Sequence, residues 1–379
     1  MKSRFFFGFG VLGMTAMLAT SAARADNSVT LYGRMDNGVS YITDTGGQHQ
    51  YKMDSGVVYS NYWGLRGTED LGGGTQAVFD LRSGFRVTDG SSKPSSGYMF
   101  GKTALVGLSN WLGTLTLGRQ YDFINDYTSR YNISQDGDGY AIHLGDLDRM
   151  SGDTMINSVK FASKSFNGLN AGAMYSFSNT AGSFHTGSAW SAGVLYTAGA
   201  FSAAAAYSQL NSTTIDPYNA LGLSSFLGTT TARVSSSTGQ LTSLYSSTGL
   251  TVSHLDTGGI GASYSFDKLT IKANTTLTKI TSADGNVSSF MHVYEAGGAY
   301  QLSPALALRS GYQYTTFEHH HWNELSVGLY ESLSKSTRIY TSAGYLRASS
   351  GVNAVIGYAF TPSSTQTQAN VRVGIAHNF

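Results

Sequence analysis

The last eleven residues are Ala369-Asn370-Val371-Arg372-Val373-Gly374-Ile375-Ala376-His377-Asn378-Phe379. Read alternately, they fall into two sets. Val371, Val373, Ile375, His377 and Phe379 form one set, almost wholly apolar and ending in an aromatic ring. Asn370, Arg372, Gly374, Ala376 and Asn378 form the other, small or polar. Successive side chains of a strand point to opposite faces, so period-two alternation reads as a strand. A strand with one apolar face, one polar face and an aromatic at its end suits the wall of a membrane barrel, with lipid outside and water inside.

The same grammar fills the chain outward from this end. Val29, Leu31, Gly33 and Met35 oppose Thr30, Tyr32, Arg34 and Asp36 in a first strand, Val29–Tyr41. Val57–Glu69 reads as the second strand, and Ala77, Phe79 and Leu81 mark the third after the turn Glu69 to Gly74. Tyr98–Leu108 and Thr114–Tyr121, then Ile156–Ser163 and Leu169–Phe177, supply four more. Ala189–Tyr196, Phe201–Ser208, Thr257–Phe266 and Leu269–Leu277 continue the series. Phe290–Leu302, Ala305–Thr316, Trp322–Leu333 and Ser336–Leu346 bring it to the closing strand, the sixteenth.

The connections alternate strictly. Seven tight turns alternate with eight mostly longer segments: 44–56, 89–97, 122–155, 178–188, 209–256, 278–289, 317–321 and 347–368. That alternation puts turns at one end and loops at the other. All four prolines, Pro94, Pro217, Pro304 and Pro362, fall in connections, where none removes a ladder hydrogen bond. An open sheet edge in hydrocarbon would leave unpaired amides, so the sheet must close. The expected fold is all-β: a transmembrane antiparallel up-and-down β-barrel of sixteen strands, with short periplasmic turns and long outer loops. About sixteen strands enclose a water-filled interior.

Composition agrees. Charged residues are 12%, against about 25% in globular chains, and there is no cysteine for a disulfide or thiolate metal site. Residues 1–25 read as a secretory signal peptide: Lys2 and Arg4, an apolar run from Phe5 to Ala19, and Ala23-Arg24-Ala25 at the cleavage point. The single barrel domain would then be 26–379, with 21 basic residues against 23 acidic, a net charge of −2 that gives no reason to expect nucleic acid. After Ala25 no apolar run reaches the ~18 residues of a membrane helix.

Several stretches also resemble a known family. Val29-Thr30-Leu31-Tyr32-Gly33-Arg34-Met35-Asp36-Asn37-Gly38-Val39 is similar to the opening strand of the trimeric general porins of Gram-negative bacteria, in their betaproteobacterial group. The segment from Trp63 to Gly74 (WGLRGTEDLGGG) resembles that group's second hairpin. Val106-Gly107-Leu108-Ser109, Gly113 to Gln120 and the closing phenylalanine resemble it too. The resemblance implies a homotrimer in the outer membrane, in contact with lipid and lipopolysaccharide. It implies passive passage of ions and small hydrophilic solutes, a third outer loop folded into the barrel, and Phe379 as assembly signal. It implies no cofactor. The family often has lysine where Arg66 stands, a non-basic residue where Arg34 stands and an acidic one where Arg82 stands. Ion preference therefore has to be read locally.

The polar strand faces place Arg34, Arg66, Arg82, Arg86, Lys160, Arg309 and Arg372 towards the lumen. Arg34, Arg66 and Arg82, on adjacent strands, suggest a basic ladder that favours anions, or else partners for lumenal Asp36 and Asp80. Arg119 falls on the lipid set by strict alternation, so a bulge there is expected to turn it inward. The loop 122–155 carries Asp122, Asp126, Asp136, Asp138, Asp146, Asp148 and Asp153 against only Arg130 and Arg149. Folded inward, its carboxylates would face the basic wall across a constriction. The net expectation is a weak anion preference.

Other motifs are weaker. Asp136-Gly137-Asp138 lacks the remaining spacing of a calcium loop. Glu318-His319-His320-His321 reads as an exposed loop tip rather than a metal site. The loop 209–256, rich in Ser and Thr, either moves freely, packs over the mouth or meets a neighbouring subunit. A substrate-specific porin for sugars or carboxylates is the alternative function. A sugar pore would want a lumenal aromatic track, whereas most aromatics here fall on the lipid set or at strand ends. A barrel hydrolase is disfavoured because His292 and His377 fall on apolar faces with no nucleophile motif beside them.

Overall fold

A computed structural model describes residues 28–93, 97–357 and 360–379. The leader expected over residues 1–25 and Pro94 lie outside the described residues. The described chain closes on itself. Ser28–Thr45 pairs antiparallel with Thr367–Asn378, from Arg34 opposite Asn378 to Ile42 opposite Asn370. Eighteen strands share the sheet, and they occupy sixteen wall positions. Gln48–Ser55 and Tyr62–Gly72 pair with two halves of the same first strand, and the two-residue Ser92–Lys93 only extends a hairpin.

Alternation in the closing strand is the one read from its sequence. Val371, Val373 and Ile375 are 50%, 61% and 49% exposed, whereas Asn370 and Arg372 are buried. The outward set meets lipid, and each fully covered Val or Ile is worth about 1.5–3 kcal/mol. Phe379 lies against Gly33, with which it exchanges backbone hydrogen bonds of 3.0 and 3.1 Å.

Two local expectations fail for identifiable reasons. Val57–Tyr59, expected as strand, leaves the ladder, while Gln48–Ser55, expected as loop, joins it. The cause is Asp36. Its carboxylate accepts from the amides of Val58 (2.8 Å) and Tyr59 (3.0 Å), and its own amide donates to the Asn61 side chain. A buried carboxylate thus replaces the ladder over residues 56–61 and turns that stretch inward. His320 and His321 are not loop-tip residues. They open the strand His320–Ser332 after a two-residue turn, and face opposite ways onto Trp322 and Tyr314.

The segment between Tyr121 and Thr154 runs inside the barrel. A π-helical turn Ile124–Thr128 and a short helix Ile133–Gly137 carry it round the wall. Asn132 caps the helix by accepting from the Gln135 amide at 3.0 Å. The outgoing limb lies over a row of inward glycines on successive strands, among them Gly172, Gly193, Gly297, Gly311 and Gly328. A Cβ at Gly311 would stand 2.6 Å from the Ser134 backbone, and one at Gly328 would strike the Gly137 carbonyl. Gly328→Val is therefore expected to push the limb off the wall at a cost of about 1–3 kcal/mol. Denaturant unfolding measures that loss, and noisier single-channel current should accompany it.

Above the loop the outer half of the lumen is packed. Tyr140, Leu144, Leu221, Phe226, Trp322 and Ile356 belong to one buried cluster. It joins the third loop to Ala220, Leu221, Leu223, Phe226 and Leu227 of one outer segment and to Val352, Ala354, Ile356 and Phe360 of another. The 216–249 segment begins with the helix Pro217–Leu221, whose N-cap is Asp216. Residues 217–227 of the long loop pack into the mouth, while much of 233–249 stays exposed.

Candidate functional site

The opening that remains is a cavity of about 710 Å³ between the third loop and the wall of the early strands. One side presents Lys52, Arg86, Lys93, Lys102 and Arg119, and the other Gly139, Tyr140, Asp146, Gly152 and Asp153. With Asp54, five cationic side chains stand against three carboxylates. Lys52 is held to Asp54 at 2.7 Å, and the Tyr140 hydroxyl donates to the same carboxylate at 2.6 Å. Loss of hydration, then the neighbouring charges of Lys93, Arg82 and Arg34, pull Lys102 down to about 8. Burial, then the carboxylates of Asp153 and Asp148, push Asp146 well above the usual carboxylate range. At neutral pH the eyelet therefore carries excess positive charge.

Arg119 reaches this cavity through a register shift between Gly118 and Gln120, where Gly118 adopts φ +133°. Its guanidinium then lies 4.9 Å from the centre of the Tyr98 ring. Arg86 lines the same opening and donates to Ser91. Lower on the wall, Arg34, Arg66 and Arg82 interleave with tyrosines. Arg66 lies 4.7 Å from the Tyr32 ring, and Arg82 5.6 Å from Tyr32 and 5.7 Å from Tyr62. Arg34 lies 6.0 Å from Tyr62 and 5.1 Å from Tyr59, and Arg338 5.7 Å from Tyr59. The arginines alternate with tyrosine rings, and Arg82 also pairs with Asp80 at 2.5 Å.

Six expected pore residues do not line the opening: Arg34, Arg66 and Arg82 stand on the wall outside it, and Arg372, Lys160 and Arg309 are engaged elsewhere inside the barrel. Arg372 is fully buried; it donates to Tyr340, Ser40 and the Asp54 carbonyl, each at 2.9 Å, and braces Tyr140 from behind. Lys160 is buried beneath the loop, bonded to Asp126 and to the Tyr121 carbonyl. Arg309 packs 4.5 Å from the Tyr330 ring. In each case a partner inside the barrel competes successfully with open water.

The acidic loop needs a larger correction. Most of its carboxylates hold it to the wall instead of facing the basic side. Asp122 accepts from Arg149 at 2.6 Å and from Ser208 at 3.0 Å. Asp126 pairs with Lys160, and Asp136 pairs with Lys272 at 2.6 Å. Asp138 accepts from Ser342 and Asn370, both at 2.8 Å. Asp148 meets His143 at 2.5 Å and Thr276 at 2.6 Å, and His143 reaches on to Glu295 at 3.1 Å. Burial alone would lower His143, but Asp148 and Glu295 raise it well above the ordinary value, while His143 holds Asp148 down. Of the loop's carboxylates, only those of Asp146 and Asp153 line the eyelet. The reason is energetic: a carboxylate brought into a packed lumen needs a donor, and the far wall supplies one.

Sequence reading missed Lys52, Asp54 and Lys93 because each lies in a stretch assigned to loops, and Lys102 because it falls inside the expected strand Tyr98–Leu108, where alternation groups it with the outward Val106 and Leu108. It also passed over Arg338, although Arg338, Tyr340 and Ser342 share one alternating set. Lys102 offers a direct check. As pH rises from 7 to 9, through its lowered value of about 8, Lys102 loses its charge. Anion preference should weaken over that interval, seen as a smaller reversal potential in a salt gradient.

Comparison with known proteins places this architecture. The pattern of the Gram-negative porin family matches residues 13–351. The chain belongs to that family. Its betaproteobacterial character is supported by relatives. It is 38% identical over 182 residues to an outer membrane porin protein of Bordetella pertussis, covering 43% of this chain and 46% of the relative. It is 26% identical over 389 residues to outer membrane porin protein 32 of Delftia acidovorans, covering 97% and 99%. Among solved structures, an anion-selective porin from Comamonas acidovorans superimposes with a TM-score of 0.74 at 23% identity, covering 93% of this chain and 100% of that one. The trimer form of OmpT from Vibrio cholerae gives 0.66 at 14% identity, covering 93% and 99%. This chain is thus a porin of the Gram-negative outer membrane, a closed sixteen-stranded barrel in a family of channels rather than enzymes.

Proposed function

We propose that this porin is a general diffusion channel for ions and small hydrophilic solutes with a weak anion preference, its mature chain starting at Asp26 after removal of a leader. The observation that carries the reading is the eyelet, an opening of about 710 Å³ lined by five cationic side chains and three carboxylates. A passive pore selects by its radius and the charges that line it. Asp146 is held towards its neutral form, which adds to the positive excess. The lining includes only Tyr121 and Tyr140 as aromatics among the described residues, which is little for a sugar track. Reversal potential in a potassium chloride gradient tests the reading, and a cation sign would refute it. Conductance that saturates with one solute at low concentration would favour a specific porin instead.

We further propose a homotrimer. Thr103–Ser109 has only seven residues and its neighbour Gly113–Tyr121 nine. A tilted strand needs about 9–11 to cross lipid. That side of the wall is too low for hydrocarbon, and a neighbouring subunit would cover it. Val106, Leu108, Leu115 and Leu117 face outward there. Chemical cross-linking in detergent should yield trimers; monomers alone would refute the assignment.

A further inference from the structure

The arginine–tyrosine ladder ends at a second, smaller cavity at the turn-side rim of the lumen. Its volume is about 140 Å³. Arg34, Lys335 and Arg338 line it with Tyr59, Asn378 and the Ser334-Lys335-Ser336-Thr337 turn. The two arginines are fixed by neighbours. Arg34 donates from Nε to Asn378 at 2.9 Å, and Arg338 donates to Ser332 at 3.3 Å and to the Tyr59 hydroxyl. Tyr59 is itself held by the Asp36 carboxylate through its amide, so the cavity depends on the inward break at residues 56–61. No carboxylate comes within ion-pair distance of Arg34, Lys335 or Arg338 among the described residues.

We infer that this cavity is an anion subsite, separate from the eyelet, that holds one phosphate- or carboxylate-sized solute at the periplasmic exit. Three cations without a carboxylate partner would leave a standing positive potential in a recess open to water. The fork of a guanidinium matches the paired oxygens of such anions, and two forks are already oriented by Asn378 and Tyr59. The volume admits a small oxyanion. The ladder gives the route to it. Arg66, Arg82, Arg34 and Arg338 succeed one another along the wall with a tyrosine between each pair, and Lys102 at the eyelet stands close enough to feel Arg82 and Arg34. An anion leaving the eyelet would meet spaced cations down to the rim. The inference rests on the channel reading above and does not depend on the overall sign of selectivity.

The test uses the intact porin reconstituted in planar bilayers, with inorganic phosphate added to each face in turn. Chloride current should fall saturably when phosphate enters from the turn side. Arg338→Gln and Lys335→Gln should each raise the half-blocking concentration about tenfold, the worth of one charge-assisted hydrogen bond. Lys335 lies in an exposed turn, so its variant keeps the wall intact even where Arg338→Gln fails to assemble. Lys102→Gln, in the eyelet, should shift the reversal potential and leave the half-blocking concentration within about twofold. No saturable turn-side block, or a block unchanged in Lys335→Gln, overturns the subsite. A cation-selective reversal potential in the unmodified porin refutes the anion preference and leaves the phosphate result to stand or fall alone.

Discussion

Exchanging Lys102 and Arg119 together for glutamate is expected to turn the channel from anion to cation preference. The five cations and three carboxylates of the eyelet then become three and five. Two unit charges 4 Å apart interact by about 4 kcal/mol at the effective dielectric of a protein surface, and each 1.4 kcal/mol is tenfold in local ion occupancy. Screening in salt reduces this, but a swing of four charges across one narrow opening is enough to reverse the sign. Neither residue holds the barrel together. The Lys102 ammonium donates to Ser60 at 2.5 Å, and Arg119 leans on Tyr98. The double variant should assemble, and its reversal potential should lie on the potassium side of zero. Arg66→Glu, outside the eyelet against Tyr32, should move the potential much less.

Arg149→Ala is expected to cause the largest loss of stability, about 3–5 kcal/mol. Arg149 and Asp122 are both buried, at 2.6 Å. Removing the guanidinium leaves the Asp122 carboxylate with the Ser208 hydroxyl and the Asn125 amide and no counter-charge. Both residues stand at the root of the third loop, one on each limb, so the loop should separate from the wall there first. Denaturant unfolding should report the lower stability. Bilayer recordings should show larger and noisier currents, because the loop forms one side of the eyelet. Currents and stability like those of the unmodified porin would show that the loop is held elsewhere.

The wall was legible because alternation is dictated by lipid on one side and water on the other. Val371, Val373 and Ile375 had one possible side, and the short-long rhythm of connections set the strand order. The inside was less legible. Lumenal residues face water, loops or one another, and alternation alone does not distinguish these. Arg372 and Arg86 belong to the same class by pattern, yet one is sealed behind Tyr140 and the other lines the opening. Asp122, Asp138 and Asp148 look like Asp146 and Asp153 in sequence. Which carboxylates are consumed as anchors depends on Arg149, Ser342 and His143 meeting them in space. The inward break at Val57–Tyr59 was illegible for the same reason, since it hangs on the distant carboxylate of Asp36. The bulge at Gly118 was accessible because an arginine on a lipid face would cost about 2–4 kcal/mol.

The central claim is that the excess positive charge of the eyelet governs passage. Reversal potential across a tenfold potassium chloride gradient, measured for the unmodified porin and for Lys102→Gln, tests it most directly. The account predicts a potential on the chloride side of zero that shrinks in the variant. A potential on the potassium side, or one that Lys102→Gln leaves unchanged, would contradict it.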